Sequence, residues 1–592
     1  MDVVATGLDG IRYRLELDLT ARADGARGCT EVRFGWKEPG TVAAVVLDLA
    51  RATRVTLNER DLPGPGAQGG QIELTDLRAE NVLTVVFELD YSFGGHGLCS
   101  VRGGGDRYVY LSLGPSSATP VLPCFLRAGP TAFDLRVRAP AGWSVASHTA
   151  PIARPVPGSA GEWRFLVSLP MDARVLTFAA GPWVVSESRV ASPSRPRGGS
   201  KLYGPRASTD LVRASSIPDD LGRILDYFER ILGLAYPYDR ADCVAVPDYG
   251  SQGTVNCGLW LLHERVLQAS VDDAWRRYVL WVLAHEAAHA WFGGLVFEGE
   301  PQDLWLLEGM ATYLCHRALA ELVPERAPWA TFHLLEEGEA HAADESSSYP
   351  VASWPSDSAP RSIPPPLVYA KPAAVVRHLE SAIGRGAVDA GLRTFLTRHS
   401  NRAPTTRDLI RCWESAAGQD LREWTDEWLM TAGVNTLELV LETSPDGIVR
   451  RAEVIQSVGP GGRLRTHHLQ VRAFDGGPIG VTARPPVPLT VVGEATPVRA
   501  LVGSPAPSLA VLNAPATTYA KVRLDERSRA TLATSLGGLD ADIRAACWVA
   551  GREMAEDDLI APAEIRQWVA RHRHAETDPQ VLRQLDALTS PS

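Results

Sequence analysis

Lysine is almost missing from this chain of 592 residues: it occurs only at Lys37, Lys201, Lys371 and Lys521, and arginine carries the rest of the positive charge. With a net charge of -11 and no clustered basic stretch, the sequence offers no electrostatic footprint for nucleic acid. The eight cysteines are scattered from Cys29 to Cys547 with no C-x-x-C pair. Free thiols in a reducing, cytoplasmic setting are the expectation. A basic region followed by an apolar run is absent from Met1-Asp2-Val3-Val4-Ala5-Thr6, so no secretory signal is expected. The apolar stretch around Trp281 is broken by His285, Glu286 and His289, which argues against a membrane span. What remains is 45% hydrophobic and 22% charged, as in an ordinary globular protein. The length is too great for one core and suggests three or four domains.

Against this background one pattern stands out: His285-Glu286-Ala287-Ala288-His289, followed after eighteen intervening residues by Glu308. Two imidazoles four residues apart on a helix project from one face and can grip a single metal ion. The glutamate between them can reach a water on that metal and act as general base. A carboxylate from a second helix completes three protein ligands and leaves a fourth position open, the arrangement of a hydrolytic zinc site. Both surroundings are apolar, Val271 to Gly294 and Asp303 to Leu322 each reading as a helix. An unpartnered carboxylate among Leu304, Trp305, Leu307 and Met310 is costly, so a bound cation is the economical explanation for Glu308.

Alternation of Tyr13, Leu15, Leu17 and Leu19, and of Phe133, Leu135 and Val137, predicts that the first 190 or so residues are all β. Ser192 to Ser200 reads as a linker. Helical periodicity then begins with Leu221, Ile224, Leu225, Phe228 and Leu232. A loop is expected from about Glu336 to Pro366, rich in acidic residues, Ser and Pro, and a helix from near Lys371. Short strands return from Thr436 to about Leu512, with turns such as Gly459-Pro460-Gly461-Gly462, and the last eighty residues are helical again.

These motifs together resemble the aminopeptidase N family of gluzincin metallopeptidases, in its actinobacterial-type form. His285-Glu286-x-x-His289-x-Trp291-Phe292-Gly293 and Leu306-x-Glu308 match the family's zinc core, and Tyr369-x-Lys371 matches its Tyr-x-Lys-Gly segment except that Pro372 replaces the Gly. Trp424-x-x-x-Trp428-Leu429, Gly433-Val434-Asn435 and the run from Tyr519 to Ser528 extend the likeness over nearly the whole chain. The resemblance implies a multidomain α+β protein. Its parts are an N-terminal β-sheet domain (1–192), a thermolysin-like catalytic domain (193–435), a small β-sandwich (436–512) and a short C-terminal helical domain (513–592). It also implies one zinc ion on His285, His289 and Glu308, Glu286 as the base, and Tyr369 as the donor to the oxyanion, a sensible task for a phenol.

Two departures bear on substrate. The family holds the substrate's α-amine with the Glu of a Gly-x-Met-Glu-Asn strand, and here Gln252-Gly253-Thr254-Val255-Asn256 puts Val255 at that position. Its second anchor lies in a Gln-x-Glu segment, where this chain has Ser112 and Gly114. Burying an ammonium without its counter-charge costs several kcal/mol. Ser112, Gly114, Gly253, Thr254, Val255 and Asn256 are thus expected to line a substrate pocket that no longer clamps a free amine. Smaller departures are Gly294, Glu300-Pro301 and Phe125-Leu126-Arg127-Ala128-Gly129-Pro130. The helical tail ends at Ser592, before the family's C-terminal bowl is complete. The resemblance therefore implies a more open site, with room for a bulky substrate, a homo-oligomeric contact or another covering partner.

The expectation is a zinc metallohydrolase for an amide or peptide-type bond in a small-molecule or peptide-like substrate, a specialised metabolite or its precursor. Three alternatives stay open. One is an aminopeptidase whose lost anchors are replaced by other acids, Asp248 and Asp303 being the candidates. The others are a zinc-dependent epoxide hydrolase and a non-catalytic binding or scaffold protein that keeps its metal site.

Overall fold

The computed structural model describes residues 8–37, 43–47, 52–62, 70–93, 95–113, 124–125, 131–171, 173–189, 199–251, 253–297, 299–352, 363–459, 462–477 and 480–588. Gly114, the expected linker around Ser192, Pro460-Gly461 and the segment 353–362 lie outside them. The chain packs as two units, Met1–Asp226 with Ala235–Leu283, and Tyr227–Leu234 with Ala284–Ser592.

The first unit is rich in strands. Leu8–Asp18 pairs antiparallel with Gly25–Trp36 and parallel with Ala132–Ala139 inside a sheet of eight described strands. The period-two pattern works as expected, because a pleated strand sends alternate side chains to one face. Tyr13, Leu15 and Leu17 are buried together with Phe133, Leu135 and Val137 in one core. A four-stranded sheet ends its Asp106–Ser112 strand on Ser112. A five-stranded sheet runs Val184–Glu187, Lys201–Gly204, Asp242–Val246, Leu259–His263 and, at its edge, Gly253–Asn256. That edge strand turns back on its neighbour through Gly258 at φ 82°. A Cβ there would come within 2.4 Å of the His148 carbonyl oxygen, so only glycine fits the turn.

The second unit is helical around the histidine motif. Its main helices include Glu308–Leu322, Ala370–Ile383, Arg385–His399 and Thr406–Ala417, the last opened by a capping box between Thr405 and Asp408. Strands Asn435–Thr443 and Val449–Val458 pair in one small sheet and His467–Gly477 centres a second, and both share a core with the helices Glu526–Ser535, Ala541–Glu556 and Pro562–His572. This mixed α+β architecture matches the expected fold class. Among the described residues no helix is long and apolar enough to cross a membrane.

Three element boundaries differ from expectation. The helix predicted from Val271 to Gly294 spans Asp273–Ala288. Asp272 Oδ1 caps its start by accepting from the Ala274 and Trp275 amides, and the backbone leaves the helix where Gly294 N–H bonds back to the His289 carbonyl. The predicted helix from Asp303 becomes a 3₁₀ segment, Pro301–Leu306, followed by an α-helix whose first residue is Glu308. Part of the predicted Glu336–Pro366 loop is the helix Gly338–Ser346, because Ala340, His341 and Asp344 turn inward and are buried.

Candidate metal centre

His285 sits in the last turn of the Asp273–Ala288 helix, and His289 lies just past its end. Fully buried Ala284, Ala287 and Ala288 pack the rest of that turn, which leaves His285 only 4% exposed. The His289 Nδ1 atom is 2.9 Å from the Phe292 carbonyl oxygen. Since a carbonyl can only accept, Nδ1 carries the proton and Nε2 keeps its lone pair for a metal. Glu308 opens the next helix, where the helix dipole favours a carboxylate. The Glu308–Leu322 helix and the Ala370–Ile383 helix approach closely at Gly309, where a Cβ would fall 2.4 Å from that of Pro372. Pro372 is in the first turn of its helix, where proline is tolerated.

The three ligand atoms converge. His285 Nε2 and His289 Nε2 are 3.2 Å apart, and Glu308 Oε2 lies 3.6 Å from the first and 3.4 Å from the second. Tetrahedral coordination with bonds of about 2.0–2.1 Å requires ligand atoms about 3.3 Å apart. The trio therefore fits zinc in spacing and in donor chemistry, two imidazoles and a carboxylate. Among the described residues these are the one group of three or more His, Cys, Asp or Glu placed to share an ion. With no metal bound, burial works against the His289 cation, yet the nearby Glu308 and Glu286 carboxylates outweigh it and push its pKa up to about 9, so a metal must displace a proton from Nε2. Burial likewise disfavours the Glu308 carboxylate, but His289 and His285 hold its pKa well below the usual range. Both shifts express one fact: the site is built around paired charge.

Glu286 is half-buried on the same helix as His285. The Tyr369 ring lies over that of His285, with centroids 6.1 Å apart and planes 29° apart. Tyr369 joins the short helix Pro365–Val368 to Ala370–Ile383, and burial followed by the Glu308 and Glu286 charges drives its pKa upward. Its hydroxyl is a proton donor.

The expected substrate residues belong to the first unit. Ser112 is buried, and its Oγ is 3.5 Å from the Tyr249 hydroxyl, which in turn donates to Thr254 Oγ1 at 2.6 Å. Burial raises the Tyr249 pKa, so this three-hydroxyl chain is uncharged. Gly253 and Thr254 lie on the edge strand with the backbone of Val255, and Asn256 is buried at its end. Neither substitute anchor is drawn into this network. Asp248 is exposed, with φ 46°. Asp303 belongs to the second unit and is buried, its Oδ1 accepting from the Thr406 amide and hydroxyl. Tyr249 was missed as a participant because 137 residues separate it from Ser112. The Phe292 carbonyl was missed because backbone groups leave no mark in a sequence motif.

The described geometry is that of a metallohydrolase centre, and comparison with known proteins agrees. The Peptidase family M1 domain matches residues 219–428. Aminopeptidase N of Streptomyces lividans is 30% identical over 98% of this chain and 70% of its own length. The probable aminopeptidase 2 of Sulfurisphaera tokodaii is 29% identical over 36% of this chain and 28% of its own. Aminopeptidase M1 of Arabidopsis thaliana is 31% identical over 36% of this chain and 24% of its own. The chain thus spans less than a third of the latter two relatives. It belongs to the aminopeptidase N family of M1 peptidases, and so to the metallopeptidase class of hydrolases.

Proposed function

We propose that this protein is a zinc-dependent hydrolase that cleaves an amide or peptide-type bond in a substrate not held by a free N-terminal amine. The hydrolytic half rests on the convergence of His285 Nε2, His289 Nε2 and Glu308 Oε2 within 3.6 Å of one another. A zinc ion on these atoms would supply a Lewis acid and lower the pKa of an attacking water. Glu286 then takes the water's proton and returns it to the leaving nitrogen, and Tyr369 donates a hydrogen bond to the carbonyl oxygen as negative charge develops there.

The substrate half is supported by the uncharged Ser112–Tyr249–Thr254 chain and by Val255 and Gly114 at the family's amine-anchor positions. Neutral hydroxyls can order a substrate by hydrogen bonds but cannot offset a buried ammonium. A peptide-like or specialised small molecule with a blocked or absent amine suits such a surface. The four-part domain division, a cytoplasmic location and a covering partner or second copy belong to the same proposal.

Aminoacyl anilides assayed beside their N-acylated counterparts test it. The N-acylated series is expected to be cleaved at least as well, with turnover lost in Glu286→Gln. Rapid cleavage confined to the free-amine series, and abolished by the same substitution, would restore ordinary aminopeptidase activity and sink the substrate half.

A further inference from the structure

The helices Glu308–Leu322 and Ala370–Ile383 wall a cavity further along their lengths from the metal ligands. Arg317 and Glu321 from one helix line it with Arg377, Glu380 and Ser381 from the other, joined by Trp329 and Arg385, around a volume of about 410 Å³. At about 1.5 Å of rise per residue, Arg377 lies ~12 Å beyond Tyr369 and Glu321 ~20 Å beyond Glu308, well away from the metal ligands.

Its charges are unevenly matched. Arg317 makes a two-nitrogen contact with Asp389. Glu321 is held by Arg230 and lies 3.7 Å from Arg385, while Glu380 accepts from the Tyr313 hydroxyl. The Arg377 guanidinium carbon lies over Trp329, 4.0 Å from the ring centroid, with no hydrogen-bond or ion-pair partner among the described residues and its Nη1 buried. Burial lowers its pKa to about 10, although Glu337, Asp542 and Glu380 oppose this from a distance. A half-buried cation without a contacting carboxylate is disfavoured, and stacking on an aromatic ring returns only about 1–2 kcal/mol. Among the described residues no anion touches Arg377.

We propose that this cavity binds a small oxoanion, a carboxylate or phosphate group docking on Arg377 with Arg385 and Ser381 beside it. A guanidinium fork matches the planar spacing of such oxygens, and the volume is that of a small-molecule site. This site is independent of the reading given to the metal centre.

Calorimetric titration of the metal-loaded full chain with sodium acetate, and separately with inorganic phosphate, provides the test. Saturable binding of at least one is expected, and which one binds separates the two chemistries. Arg377→Met should weaken it at least tenfold, and so should Ser381→Trp, which fills the cavity and leaves Arg377 in place. Because methionine replaces an unmatched cation with an apolar chain, Arg377→Met should keep its melting temperature in anion-free buffer and lose the anion-induced rise of the wild type. No saturable binding of either anion, or binding that both variants retain, overturns the proposal. If Arg377→Met does not fold, undiminished binding by Ser381→Trp overturns it alone.

Discussion

Lys371 Nζ lies 2.8 Å from Asp344 Oδ2, with both side chains almost completely shut off from water. The lysine also donates to the Tyr349 carbonyl oxygen at 2.6 Å, and Asp344 accepts from Ser348 Oγ at 2.8 Å. Burial pulls the Lys371 pKa down to about 8 against the attraction of Asp344, so the lysine keeps its charge at neutral pH by a modest margin. Replacing Lys371 with Met strands a buried carboxylate, which typically costs about 3–5 kcal/mol. Urea unfolding of Lys371→Met should show a loss of that order, and Lys371→Met with Asp344→Leu should recover much of it. Because Lys371 follows Tyr369 by two residues, the single variant should also turn over more slowly under conditions where it is folded.

Metal content separates ligands from base. Purified protein should carry about one zinc per chain by elemental analysis, as a three-residue site with an open position predicts. His289→Ala and Glu308→Ala should lose the metal, and chelation should lower the melting temperature of the wild type but not of these variants. Glu286→Gln should keep the metal and lose turnover by about 10²–10⁴-fold, the usual worth of a positioned general base. Loss of zinc from Glu286→Gln would instead make Glu286 part of the binding set.

The metal trio was legible because its information is local: two histidines four residues apart, one in the last turn of a helix and one just past its end, and a carboxylate at the start of a second apolar helix. Tyr13, Leu15 and Leu17 were legible for a similar reason, since a sheet with one buried face prints its period on the sequence. The Gly338–Ser346 helix was not. Its inward residues include His341 and Asp344, polar side chains that look like loop composition until their partners are known. His341 Nδ1 meets Glu553 Oε1 at 2.7 Å across 212 residues, and Asp344 meets Lys371. The exit from the helix at Ala288 was equally hidden, because it depends on Gly293 adopting φ 126° and on Phe297 N–H reaching the Arg402 carbonyl.

If loss of the amine anchors defines the substrate, restoring them should change it. Val255→Glu combined with Gly114→Glu is expected to raise kcat/KM for aminoacyl anilides by at least tenfold, since a counter-charge for a buried ammonium is worth several kcal/mol. N-acylated analogues should gain nothing. The ratio between the two series is the informative number, because a general disturbance of the pocket lowers both. No gain for free-amine substrates would mean that the surroundings have changed beyond those two positions.

Acid sensitivity should come from buried neutral histidines outside the metal trio. Burial lowers the His148 pKa to about 4. Burial, then Arg465 and His468, lowers that of His467 to about 3. His467 Nε2 faces Gln456 Oε1 at 3.1 Å and Nδ1 faces Thr518 Oγ1 at 2.8 Å, an arrangement that suits the neutral ring and places any added charge beside Arg465. Both folded values lie below the unfolded value of about 6.5, so the unfolded chain binds more protons in between. Their contribution is fully present above pH ~6.5 and declines as pH falls towards ~4 and ~3, on the order of a few kcal/mol for each group. Urea midpoints of chelated protein, measured from neutral pH down to the lowest pH at which it stays folded, should therefore fall with acid. His148→Leu should flatten that slope, because a residue that cannot titrate removes its share of the proton uptake. An unchanged slope in the variant would assign the acid sensitivity to other groups.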